Sequence, residues 1–148
     1  MTSKADFNEQ EWELVLSGPP TAGTMVITAD HGGMMRETFA MAKAYAEARQ
    51  QHGASQLLDD IVAAKPKVER PHEESAGAYR EHSVQRLREA VELLEAKATP
   101  EEVEEYRRFI LTLTDRVARR HKEHGADISE AEQAAIDQIA AALGGAAV

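Results

Sequence analysis

No cysteine occurs in the 148 residues, so a disulfide framework, a thiolate metal cage and a cysteine nucleophile are excluded. Histidine and carboxylate are the side chains left to hold a metal. No serine sits in a Gly-x-Ser-x-Gly elbow, and Gly32-Gly33 is followed by neither Lys-Ser nor Lys-Thr, so acyl-transfer and nucleotide-hydrolysing chemistry lack their usual parts. A calcium loop with alternating oxygen ligands and a closing glutamate is missing too. No apolar run approaches the roughly 20 residues that cross a bilayer. Met1 to Phe7 has one lysine and no apolar segment, which predicts no secretory signal and a cytoplasmic protein. Positive charge is in deficit: 17 Lys and Arg stand against 26 Asp and Glu, a formal charge of -9 that argues against nucleic acid and anionic membranes as partners.

What is present reads as helix throughout. The length fits one helical domain, residues 1–148, with an exposed, proline-broken and charged connection over about 64–76. Asn8 with Glu11 three residues later, flanked by Phe7 and Trp12, has the form of a capping box inside a hydrophobic staple. It opens a short helix from about Glu9 to Ser17. Gly18-Pro19-Pro20 is expected to break the chain there, with Pro20 starting a second helix through Met25 and Val26 that ends near Asp30-His31-Gly32-Gly33. Thr24 to Thr28 is the one β-branched cluster, and no turn pair makes it a hairpin.

Further helices follow at Met34 to His52, with Met35, Phe39, Ala42 and Ala46 in phase, and at Leu57 to Val62 behind Ser55. Val84, Leu87, Val91 and Leu94 mark a long one from about Gly77 to Ala98. Thr99-Pro100-Glu101-Glu102 is the strongest local signal, a capping threonine, a first-position proline and a carboxylate at the third position. The helix it opens carries Val103, Tyr106, Ile110, Leu113 and Val117, widened by Phe109 and Leu111, and is expected to be the central element ending at Gly125. Ser129 and Glu132 cap a last helix closed by Gly144-Gly145. The expected fold is all-α, a single-domain bundle of about seven helices.

Two junctions between helices echo one another. His31-Gly32-Gly33-Met34-Met35-Arg36-Glu37 and His124-Gly125-Ala126-Asp127-Ile128-Ser129-Glu130 both read His, Gly, small, variable, apolar, variable, Glu. A trace of two related halves would bring them together; the plainer account is that glycine ends helices and glutamate begins them. His121 and His124 lie three apart on the stripe of the central helix, so Asp127 and Glu130 would complete a nitrogen and oxygen site for a divalent metal, with Asp30 and His31 adding ligands from the other junction. The simpler alternative places both imidazoles at a helix C-terminus, bonded to its last carbonyls. Glu69-Arg70-Pro71-His72 has the letters of a di-iron pair but lies in the broken connection, where helical spacing is lost.

Arg107, Arg108, Arg116, Arg119, Arg120 and Lys122 crowd the second half of the central helix, with Glu104, Glu105, Asp115 and Glu123 near enough to pair with them. Met25, Met34, Met35 and Met41 suit either core filling or an adaptable pocket.

The stretch from Arg119 through His124-Gly125-Ala126-Asp127-Ile128-Ser129-Glu130-Ala131-Glu132 to Leu143-Gly144 resembles tellurite-resistance TerB-like proteins, and Ala29-Asp30-His31-Gly32-Gly33 to Glu37 is similar to the corresponding part of their first half. That resemblance implies an all-helical protein of two related halves, associated with stress responses and metal sensing, with Asp30, Glu37, Asp127, Glu130 and Glu132 as the matching acids. The histidines, and Gly32-Gly33 in place of an Asp-Gly pair, depart from the pattern. The function expected is a non-enzymatic interaction protein that binds a protein partner or a divalent ion at its helix junctions, with a homodimer formed through an apolar helix face. The rival is a small ligand-binding or metal-assisted enzyme, using His121 or His124 as acid or base in a pocket between the Met34 to His52 helix and the central helix.

Overall fold

The computed structural model describes residues 3–29, 34–50, 56–64, 76–119 and 130–144, with the backbone alone for 27–29, 34–39, 76, 77, 119 and 131. A 3-10 turn at Lys4–Asp6 precedes α1 (Glu9–Ala29), α2 (Met34–Gln50), α3 (Gln56–Ala63), α4 (Ala76–Lys97), α5 (Pro100–Arg119) and α6 (Glu130–Leu143). The protein is all-α, without a strand among the described residues. The connection over 65–75, the junctions at 30–33 and 120–129, and Ser55, Gly53 and Ser129 lie outside them.

Among the described residues six α-helices stand where about seven are expected, because Gly18-Pro19-Pro20 does not break the chain. Proline lacks the N–H that a helix needs at each position, so Pro19 leaves the carbonyl of Val15 without its usual donor. The Tyr106 hydroxyl of α5 supplies one, donating to Val15 O at 2.7 Å. Gly18 makes the approach possible: a β-carbon there would overlap the Tyr106 oxygen and lie 3.0 Å from its Cζ. One turn on, the Thr24 hydroxyl donates to Pro20 O at 2.8 Å, so the β-branched cluster lies inside the same helix.

α5 touches every other helix, as its wide apolar arc predicts, and α1 touches α2, α4, α5 and α6. The core joins Val103, Tyr106, Ile110, Leu113 and Val117 of α5 to Val15, Ala22 and Val26 of α1, Leu87, Val91 and Leu94 of α4, and Ile139 and Leu143 of α6. Leu57, Ile61 and Val62 close it from α3. Gly23 brings α1 close to α2 and α5, since a β-carbon there would overlap the Met41 methyl and lie 3.1 Å from Leu113 Cδ2.

Helix ends are closed both locally and across the bundle. Glu102 N donates to Thr99 Oγ1 at 3.2 Å and Thr99 N to Glu102 Oε1 at 2.9 Å, the reciprocal capping pair the sequence predicts for α5. Gly144, at φ +76°, turns the chain out of α6 in the left-handed conformation that favours glycine. Two arginines close the C-termini of neighbouring helices: Arg49 Nε donates to Val62 O at 2.6 Å, and Arg107 Nε to Leu143 O at 2.5 Å.

Tyr106→Phe leaves a buried carbonyl without a donor and is expected to cost about 1–3 kcal/mol in urea unfolding. Gly18→Ala gains up to about 1 kcal/mol of helix propensity but forces Tyr106 aside, an overpacking cost of about 1–3 kcal/mol, so it destabilises the wild type on balance. In the Tyr106→Phe background the clashing oxygen is gone and the Gly18→Ala cost should shrink. Strictly additive effects in the double-mutant cycle would show that the two residues do not act through one contact.

Candidate functional site

The chain before α1 is fastened by interactions from three parts of the sequence. Asn8 and Glu11 cap α1 reciprocally, with Glu11 N donating to Asn8 Oδ1 at 2.8 Å and Asn8 N to Glu11 Oε1 at 2.9 Å. Phe7 and Trp12 form the staple across that cap, their ring centres 5.7 Å apart, and both are buried. Lys97, at the end of α4, places its ammonium 2.8 Å from Glu11 Oε1, donates to Asp6 O at 3.2 Å, and lies 5.5 Å from the centre of the Phe7 ring. The Asn8 N–H and then the Lys97 ammonium hold the Glu11 carboxyl below the ordinary carboxylate value. From α3, Asp60 accepts Lys4 N at 3.1 Å through one oxygen and Gln56 Nε2 at 2.7 Å through the other.

The 3-10 turn, the first turns of α1 and the start of α3 bound an open groove of about 1010 Å³. Its apolar lining is Ala5, Phe7, Trp12 and Leu16; its polar lining is Ser3, Lys4, Asn8, Glu9, Glu13, Gln56 and Asp60. Phe7 and Trp12 belong to the core, so the floor is fixed by packing, while Lys4, Glu9 and Glu13 are exposed. Among the described residues, three carboxylates against one ammonium make the rim acidic. A fixed aromatic floor with a few polar groups around it suits side-chain insertion by a ligand, whereas a groove open to water offers little to bond-making chemistry.

Of the residues singled out in the sequence, Asp30, His31, His121, His124 and Asp127 lie outside the described residues. Glu130 begins α6 and is exposed, and Glu132 is buried on that helix. Among the described residues no group of three or more histidine or carboxylate side chains is placed to hold a metal. From Ala40 onward, the described part of the interface between α2 and α5 is filled: Met41 is fully buried, and Tyr45 meets Phe109 edge-on at 5.2 Å. Burial pushes the Tyr45 and Tyr106 hydroxyls well above the ordinary tyrosine value, with the coulombic effect of Tyr45 adding to Tyr106. Met25 and Met41 are core residues, while the side chains of Met34 and Met35 are not described.

The arginines of α5 are engaged between helices as well as along one. Arg107 lies 3.5 Å from Glu95 of α4 and 3.6 Å from Glu104 of its own helix, and Arg116 pairs with Glu47 of α2. Arg108 is exposed; the side chain of Arg119, and Arg120 and Lys122, are outside the description. The groove itself was only half legible in sequence. The Phe7 and Trp12 staple was readable, and Leu16 follows Trp12 at helical spacing, but nothing local signals that Asp60 joins them.

No protein-family model, curated protein or solved structure matches this chain. Among the described residues no helix is long and apolar enough to cross a membrane.

Replacing Lys97 by methionine should move the Glu11 titration, followed by carboxyl NMR, only part of the way up, because the Asn8 N–H remains. A carboxyl depressed in the folded state adds stability above its unfolded value and loses it as pH falls through its folded value, so Lys97→Met should also reduce the loss of stability on acidification. A Glu11 titration that does not move would remove Lys97 as one of its causes.

Proposed function

We propose that this chain is a non-catalytic helical interaction protein that receives a segment of a protein partner in the groove beside Trp12. The observation that carries this reading is the combination of a core-anchored aromatic floor with an open polar rim. Aromatic recesses are where interfaces concentrate their binding energy, because an inserted apolar side chain is desolvated while the surrounding polar groups fix its orientation. Among the described residues the groove lining includes no histidine, and its Glu9 and Glu13 carboxylates stand exposed at the solvent edge, an environment suited to recognition more than to proton transfer.

A peptide-display library panned against the native chain tests this reading. The expected binders change the fluorescence of Trp12, the single tryptophan, and are lost when Leu16→Glu puts a charge on the floor. NMR mapping on the unmodified protein should place them against residues 3–16 and 56–60, which keeps the test independent of the variant's folding. Binders that leave those residues unchanged would overturn the proposal.

A divalent ion at the helix junctions, held by His121, His124, Asp127 and Glu130 with Asp30 and His31, remains the second part of the reading, and the resemblance to TerB-like proteins is its support. Anything that binds the native state raises its melting midpoint by mass action. A rise with magnesium, calcium, manganese, zinc or nickel that the His121→Ala, His124→Ala double mutant loses is the expected result; no rise with any of the five removes the ion from the proposal.

A further inference from the structure

We infer that the occupant of the groove is a basic peptide segment of a partner protein, carrying one bulky apolar anchor for the Trp12 floor and cations for the Glu9, Glu13 and Asp60 rim. This rests on the groove reading above and adds the chemistry of the partner. Glu9 and Glu13 lie four residues apart on α1, a rise of about 6 Å. That matches basic residues at i and i+4 of a helix, and it is close to the spacing of about 6.6 Å between i and i+2 of an extended segment.

The surrounding charges point the same way. Four carboxylates beside other helices have cations, Glu11 with Lys97, Glu47 with Arg116, and Glu95 and Glu104 with Arg107. Glu9 and Glu13 are exposed, and no ion pair joins either to a described cation. The start of α1 would otherwise favour an anion, since a helix N-terminus presents unpaired N–H groups and partial positive charge. Here Asn8 and Glu11 close it, and the Glu11 carboxylate sits on the first turn. Among the described residues Lys4 is the one cation lining the groove, so an anionic ligand would meet three carboxylates for that one favourable charge.

The probes are three synthetic peptides of equal length and leucine pattern, with lysine, glutamine or glutamate at the polar positions, titrated while Trp12 fluorescence is read. The leucine-lysine peptide should bind best, and added salt should weaken it. Glu9→Gln with Glu13→Gln should weaken it about fivefold, since each exposed ion pair contributes modestly. Glu89→Gln with Glu92→Gln, the same change in net charge on the exposed side of α4, should leave it unaltered. Glu9→Lys with Glu13→Lys should transfer the preference to the leucine-glutamate peptide. Equal binding of the lysine and glutamine peptides, or equal losses in the two glutamine pairs, overturns the charge assignment and leaves the groove standing. If none of the three binds while display yields groove binders, the basic partner is wrong; if display also yields none, the groove reading fails with it.

Discussion

The hydrogen bond from the Tyr106 hydroxyl to the Val15 carbonyl is the constraint on which the rest of the bundle depends. α1 must run as one element from the Trp12 floor to the α2 and α5 interfaces, yet Pro19 and Pro20 remove two amides from its middle. An unsatisfied carbonyl at that depth costs free energy comparable to a lost hydrogen bond, so a donor from outside the helix is needed. Tyr106 can be that donor because Gly18 leaves room for its oxygen and because the ring is fixed among core residues of α5. The same contact sets the register of α1 on α5, and Gly23 against Met41 and Leu113 fixes it again further along.

Charge is organised around these seams. A chain with a formal charge of -9 repels itself, and its cations do more when each serves two elements. Arg107 closes the Leu143 carbonyl of α6 while lying near Glu95 of α4 and Glu104 of α5, which a guanidinium with five donors allows. Lys97 joins α4 to Glu11 and to the Asp6 carbonyl at the start of the chain. These contacts are partly exposed, so each contributes little alone. Their effect is to fix how helix ends meet, which the apolar core, being non-directional, specifies less well.

What was legible in the sequence was local. The Asn8 and Thr99 caps, the Phe7 and Trp12 staple and the Gly144 terminus each depend on residues a few positions apart, and each is found as the spacing predicts. The α5 stripe was legible for the same reason. The proline pair reads locally as a break because its compensating donor lies 91 positions away, beyond any local pattern. Arg116 was expected to find a carboxylate nearby in sequence, and it pairs with Glu47 of another helix, again a tertiary contact. The groove divides along this line. Phe7, Trp12, Glu9 and Glu13 belong to one readable segment, whereas Asp60 reaches it through a backbone bond to Lys4 that spans 56 positions. The histidine junctions, prominent as sequence, lie outside the described residues and add nothing to the geometry.

The two halves of the groove differ in how firmly they are held, and that difference favours recognition. Phe7 and Trp12 are built into the core, and moving either would disturb α1 and its staple. The rim is held by exposed polar bonds, Lys4 N to Asp60 and Gln56 to Asp60, and by helix-surface glutamates with rotamer freedom. Such elements open at lower free-energy cost than the core and can adjust to a ligand without unfolding it. A floor that stays fixed gives an inserted side chain a preformed recess, so little ordering entropy is lost there on binding. Because Phe7 and Trp12 are already nearly covered, only a small apolar area remains to be desolvated. Discrimination among partners then falls to the rim, where complementary charge governs encounter and orientation more than it governs the strength of the final complex.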